Sequence, residues 1–142
     1  MITEHIQNEI IDNFNMLDDD IEMSLNYLME LGEGLDPFDE ELRVDDNIIK
    51  GCQSKVYFVT IENSDGTLTF HANSDALIVQ GLIAILLKVY SNKNPREILR
   101  IDTDFLNKIG LDSHLSPTRK NGLFSMINKI KTEAEARVTS FD

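Results

Sequence analysis

A chain of 142 residues, 42% of them hydrophobic, is long enough for one domain with a packed core and needs no covalent staples. Its net charge of −12 comes from acids spread along the chain, which argues against nucleic acid and anionic membranes and leaves a basic protein partner or plain solubility. The lone cysteine, Cys52, excludes an internal disulfide and any zinc or iron–sulfur site built from several thiolates of this chain.

Residues 3–17 carry Ile6, Ile10, Phe14 and Leu17 at helical spacing. Asp18-Asp19-Asp20 supplies N-caps for a second helix, whose core face is Ile21, Leu25 and Leu28 and which ends at Gly32 or Gly34. The tight link predicts a helical hairpin. Residues 35–47, acidic and holding Pro37, read as an irregular connection with one helical turn.

Lys55 to Ile61 is rich in β-branched and aromatic residues, and Asn63-Ser64-Asp65-Gly66 is a turn signal. Leu68, Phe70 and Ala72 then alternate with Thr67, Thr69 and His71, so a hairpin with one buried face is expected. Ile48-Ile49 is a candidate third strand. Ser74 is read as the cap of a helix from Asp75 to about Ser91 that is apolar on nearly every side and therefore central. Gly81 within it costs about 1 kcal/mol relative to alanine, which calls for close approach of another backbone, with the sheet as the candidate.

Pro95 starts a short helix through Arg100, and Asp102 or Thr103 caps another that ends at Gly110. Ser116 and Pro117 open the final helix, with Leu123, Met126, Ile127, Ile130, Ala134 and Val138 as its stripe. The class is α+β: a small antiparallel sheet flanked by helices, in a single domain over residues 1–142. The opening Met1-Ile2-Thr3-Glu4-His5 is not a signal peptide, and Ala76 to Tyr90 is too short to span a bilayer, so a cytoplasmic protein is expected.

Cys52 sits in Lys50-Gly51-Cys52-Gln53-Ser54, between an irregular segment and a strand. Gly51 permits a sharp turn, and Lys50 and Lys55 favour the thiolate. On spacing alone a small buried hydrophobe fits Cys52 better than a nucleophile. His71 and His114 carry no signature of a base for it, and the histidines, His5 included, lack metal-ligand spacing. No cofactor or metal is expected.

Gly51-Cys52-Gln53-Ser54 is one of several blocks that together resemble the SufE family of sulfur-acceptor proteins. The others are Glu30-Leu31-Gly32, Arg43 with Asn47, Ser74-Asp75-Ala76-Leu77-Ile78-Val79, and Gly81-Leu82-Ile83-Ala84. His114-Leu115-Ser116-Pro117-Thr118-Arg119, Asn121-Gly122-Leu123 and Met126 complete the set, which spans roughly residues 8–137. Tyr57 and Thr118-Arg119-Lys120 depart from the usual pattern.

The resemblance implies a fold shared with U-type scaffold proteins. It also implies an accessory role without turnover of its own. Cys52 would take a persulfide sulfur from a SufS-type pyridoxal-phosphate cysteine desulfurase, stimulate that enzyme, and deliver sulfur to an iron–sulfur scaffold complex. Gly51, Gln53, Ser54, Asp75 and Arg119 would support it, Arg119 by steadying the thiolate or the partner. The competing reading is an acidic adaptor in which Cys52 is only structural. A cluster scaffold is disfavoured by the single cysteine.

Overall fold

A computed structural model describes residues 2–18, 20–51, 54–110 and 114–138. Helices α1 (Ile2–Asn15) and α2 (Ile21–Glu33) come first. Asp20 caps α2, its side chain accepting from the Met23 amide at 2.9 Å. α1 and α2 touch where the Phe14 and Tyr27 rings meet edge-on at 5.0 Å, but the principal partner of α2 is a later helix. The simple helical hairpin is therefore not the organising unit. The buried face of α2 shares Leu28 with the expected stripe and otherwise differs from it. Ser24, Leu28 and Gly32 are buried, whereas Ile21 is half exposed.

Two single helical turns, Glu40–Leu42 and Asp45–Asn47, occupy the acidic connection, where one was expected. Strands β1 (Val56–Glu62) and β2 (Leu68–Ser74) pair antiparallel, with Val56 opposite Ser74 and Glu62 opposite Leu68. Leu68, Phe70 and Ala72 are buried, as their alternation requires. Ile48 forms only an isolated bridge to Tyr57, and Ile49 donates to the Val56 carbonyl at 2.9 Å. The expected third strand is thus a single point of pairing.

Helix α3 (Leu77–Tyr90) is the centre of the core, with nine of its side chains or backbone positions buried. Ser74 is not its cap. It ends β2, buried, with its amide donating to Gln80 Oε1 at 2.8 Å, and Ala76 stands at the helix cap without a side-chain bond. The close backbone expected at Gly81 is found, but it belongs to a helix and not to the sheet. A Cβ on Gly81 would collide with the Leu28 carbonyl oxygen of α2, and a Cβ on Gly32 would stand 2.8 Å from the Gly81 nitrogen. The close neighbour of Gly81 is a crossing helix.

Helices α4 (Pro95–Arg100), α5 (Phe105–Ile109) and α6 (Pro117–Glu135) complete the described fold. Asn94 caps α4, and Gly110 ends α5 at φ 82°. Asp104 holds the cap position of α5, while Asp102 Oδ1 accepts from the Asp104 amide. Ser116 caps α6, its hydroxyl accepting from the Arg119 amide at 3.2 Å, with Pro117 next. Leu123, Met126, Ile127, Ile130 and Ala134 are buried in one cluster with the sheet and α3. No helix among the described residues is long and apolar enough to cross a membrane.

Glu133 ties the end of α6 to the sheet. Its carboxylate accepts from Thr60 Oγ1 at 2.9 Å and Arg137 Nη1 at 3.0 Å, and Lys129 lies 3.5 Å away. Burial pushes this carboxyl up, but those hydrogen bonds and the charges of Lys129 and Arg137 together hold it below the usual carboxylate range. A depressed folded-state pKa contributes stability above the unfolded value, lost as pH falls through the folded value. Urea midpoints should therefore drop as pH falls below the usual carboxylate range. Glu133→Gln should lower the midpoint at neutral pH and flatten the acid slope; an unchanged slope contradicts the assignment.

Candidate functional site

The site is assembled around the entry to β1. Cys52 and Gln53 lie outside the described residues; the residues on either side of them are described. Gly51 has φ +91°, a conformation that favours glycine. Ser125, on α6, donates its hydroxyl to the Gly51 carbonyl at 3.3 Å. A Cβ on Gly51 would stand 2.7 Å from the Ser125 oxygen. The backbone angle is what demands glycine, since the Ser125 hydroxyl is the end of a side chain that can turn away.

Ser54 also faces α6. With Arg119, Thr118, Gly122, Val79 and Met126 it lines a narrow cavity of about 20 Å³ at the junction of β1, α3 and α6. Arg119 reaches this place because Ser116 and Pro117 start α6 three residues earlier. No ion pair of Arg119 occurs among the described residues. Both ends of the segment bearing Cys52 therefore run against one helix, and the Arg119 side chain lies at one of them. Lys50 and Lys55 are exposed on either side.

Asp75 follows Ser74, the partner of Val56, and so stands at the same end of the hairpin. It does not join the Ser54–Arg119 cavity. It is almost fully exposed and lies 3.9 Å from Arg43 Nη1. Arg43 is held more firmly. It pairs with Glu40 at 3.1 Å and lies over the rings of Phe38 and Tyr57, at 5.7 and 5.8 Å. The acidic connection is thereby pinned to β1 through Tyr57. Asn47 donates to the Leu42 carbonyl at 2.8 Å and shapes the same connection.

Ser125 is the residue that sequence reasoning missed. Its contact with Gly51 spans 74 positions. A serine inside a helix has no local signal that marks such a role. Among the described residues, no group of three or more His, Cys, Asp and Glu is gathered as a metal ion would need.

The SufE Fe–S metabolism associated domain matches residues 8–134. The chain belongs to the SufE family. An uncharacterized SufE-like protein of Rhizobium meliloti is 47% identical over 134 residues, covering 92% of this chain and 95% of that one. A second, from Rhizobium etli, is 42% identical over 136 residues, covering 93% and 91%. The solution structure of a hypothetical protein from Thermus thermophilus superimposes with a TM-score of 0.75 over 95% of this chain and 97% of that one. At 17% identity that likeness establishes the shared fold alone. Membership associates this SufE-family protein with Fe–S metabolism.

Proposed function

We propose that this SufE-family chain is a persulfide carrier, acting as one domain over residues 1–142, in which Cys52 accepts sulfur from a SufS-type cysteine desulfurase. The observation that carries the reading is the anchoring of the chain on both sides of Cys52. Gly51 is fixed by Ser125, and Ser54 shares a cavity with Arg119. An acceptor thiol must meet a partner's sulfur in line, and fixed ends beside a positive side chain favour that encounter.

The step balances without an external oxidant. The Cys52 thiolate attacks the outer sulfur of the desulfurase persulfide, and a new S–S bond forms on Cys52. The bond between the two desulfurase sulfurs breaks, and the enzyme's cysteine leaves as a thiolate. The outer sulfur then moves on from Cys52 to an iron–sulfur scaffold complex by a second attack of the same kind. Arg119 is a positioning residue that favours the thiolate over the thiol. Asp75 and Arg43 form the rim that the desulfurase meets. The carrier turns nothing over alone and works in the cytoplasm.

The test is desulfurase turnover, followed as alanine release from cysteine. The wild-type chain raises the rate and Cys52→Ser does not. Equal stimulation by both proteins would overturn the reading in favour of an adaptor with a structural cysteine.

A further inference from the structure

The opposite end of the hairpin carries a feature that sulfur transfer does not use. Seven residues of β1 at about 3.3 Å each place Glu62 about 20 Å from Val56. There, a cleft of about 490 Å³ opens between the hairpin turn, α4 and the end of α6. Three arginines line it: Arg96 and Arg100 from α4, and Arg137. For a chain of net charge −12 this is an unusual gathering of cations.

Of the two carboxylates in the same cleft, Glu62 is offset by Arg137, whereas Asp65 keeps its charge while bonded to Thr67. Glu62 lies 2.7 Å from Arg137 Nε. Asp65 accepts from the Thr67 hydroxyl at 2.6 Å and the Thr67 amide at 3.0 Å. The acids nearest α4 in sequence, Glu97 and Asp102, are not among the residues that line the cleft. Arg96 and Arg100, one helical turn apart, make no ion pair among the described residues. The Nε of Arg96 is buried and has no hydrogen-bond partner among the described residues. A buried guanidinium N–H gains from an acceptor brought to it.

We infer that this cleft is a binding site for a phosphate-bearing anion. Two guanidiniums without an ion pair present more N–H donors than one carboxylate can accept, and a phosphate group brings three acceptor oxygens to them. Their planar forks suit its oxygens. The volume exceeds that of inorganic phosphate and falls within the range of about 300–1,000 Å³ typical of small-molecule sites. The ligand chemistry is shared by free phosphate and by a phosphorylated metabolite.

The full chain is titrated with inorganic phosphate, glucose 6-phosphate and acetate at constant ionic strength, with the arginine Nε–Hε signals followed by NMR. Saturable shifts at Arg96 and Arg100 are expected with both phosphates and not with acetate. Arg100→Ala, at an exposed position, and Arg96→Ala should each weaken binding about tenfold or more. Tighter binding of glucose 6-phosphate assigns the site to an organic phosphate, and equal binding assigns it to the free anion. Shifts that stay linear to the order of 10 mM, that acetate reproduces, or that survive both substitutions overturn the inference.

Discussion

Gly81→Ala is expected to destabilise the protein by about 1–3 kcal/mol, although alanine is the better helix former. Helix propensity alone predicts a gain of about 1 kcal/mol from this change. Packing opposes it more strongly. The new methyl group would collide with the Leu28 carbonyl oxygen, a backbone atom in the middle of α2, and would press on the Leu28 side chain too. A flexible side chain could swing aside, but this oxygen moves only if the two helices separate. Leu28 is wholly buried, so that separation loosens the core. Gly34→Ala provides the contrast. Its Cβ would stand 3.5 Å from the nearest atom, the backbone is in the ordinary right-handed region, and the site is exposed. That change should stay within about 0.5 kcal/mol of the wild type. Urea unfolding of the two variants checks the pair, and equal midpoints would contradict the account of the α2–α3 crossing.

The same crossing shows where sequence reasoning stopped. The hairpin was legible because Leu68, Phe70 and Ala72 alternate and Asp65-Gly66 turns the chain. The start of α6 was legible because Ser116 and Pro117 are local signals. The face of α2 was not. Gly32 and Gly81 bring the two helices together beside Leu28, and small residues leave no apolar signal, so Ile21 was read into a face that Ser24 and Gly32 help to bury. Ser74 resembled a helix cap because caps are recognised by residue type, yet pairing with Val56 keeps it in the strand. Propensity sees neighbours along the chain, and tertiary pairing decided both cases.

Within the candidate site, the resemblance to SufE proteins singled out Gly51, Ser54 and Arg119, and all three lie along α6. Asp75 was expected to support Cys52; it stands at the same end of the hairpin as the cysteine segment, exposed and 3.9 Å from Arg43. Cys52 and Gln53 fall outside the described residues, so their part in the site rests on the family match and on the anchors around them.

Cys52→Ser should abolish sulfur acceptance altogether, the largest functional effect expected of any single change. Attack on a persulfide needs a thiolate, and an unperturbed thiol, with pKa about 8.5, supplies one near neutral pH. A serine hydroxyl ionises far less readily and cannot replace it as a nucleophile toward sulfur. Arg119→Ala should slow acceptance without preventing it, because it removes a nearby charge and leaves the thiol. The change in rate should shrink as pH rises above the thiol pKa, where the thiolate forms unaided. A loss of rate that is the same at every pH would make Arg119 a docking residue for the desulfurase instead.

The most direct measurement is the intact mass of the chain after incubation with a SufS-type desulfurase, its pyridoxal phosphate and free cysteine. The account predicts a gain of one sulfur atom, reversed by a thiol reductant and absent in Cys52→Ser. A chain that stays at its starting mass while the desulfurase turns over, or a serine variant that still gains sulfur, would contradict it.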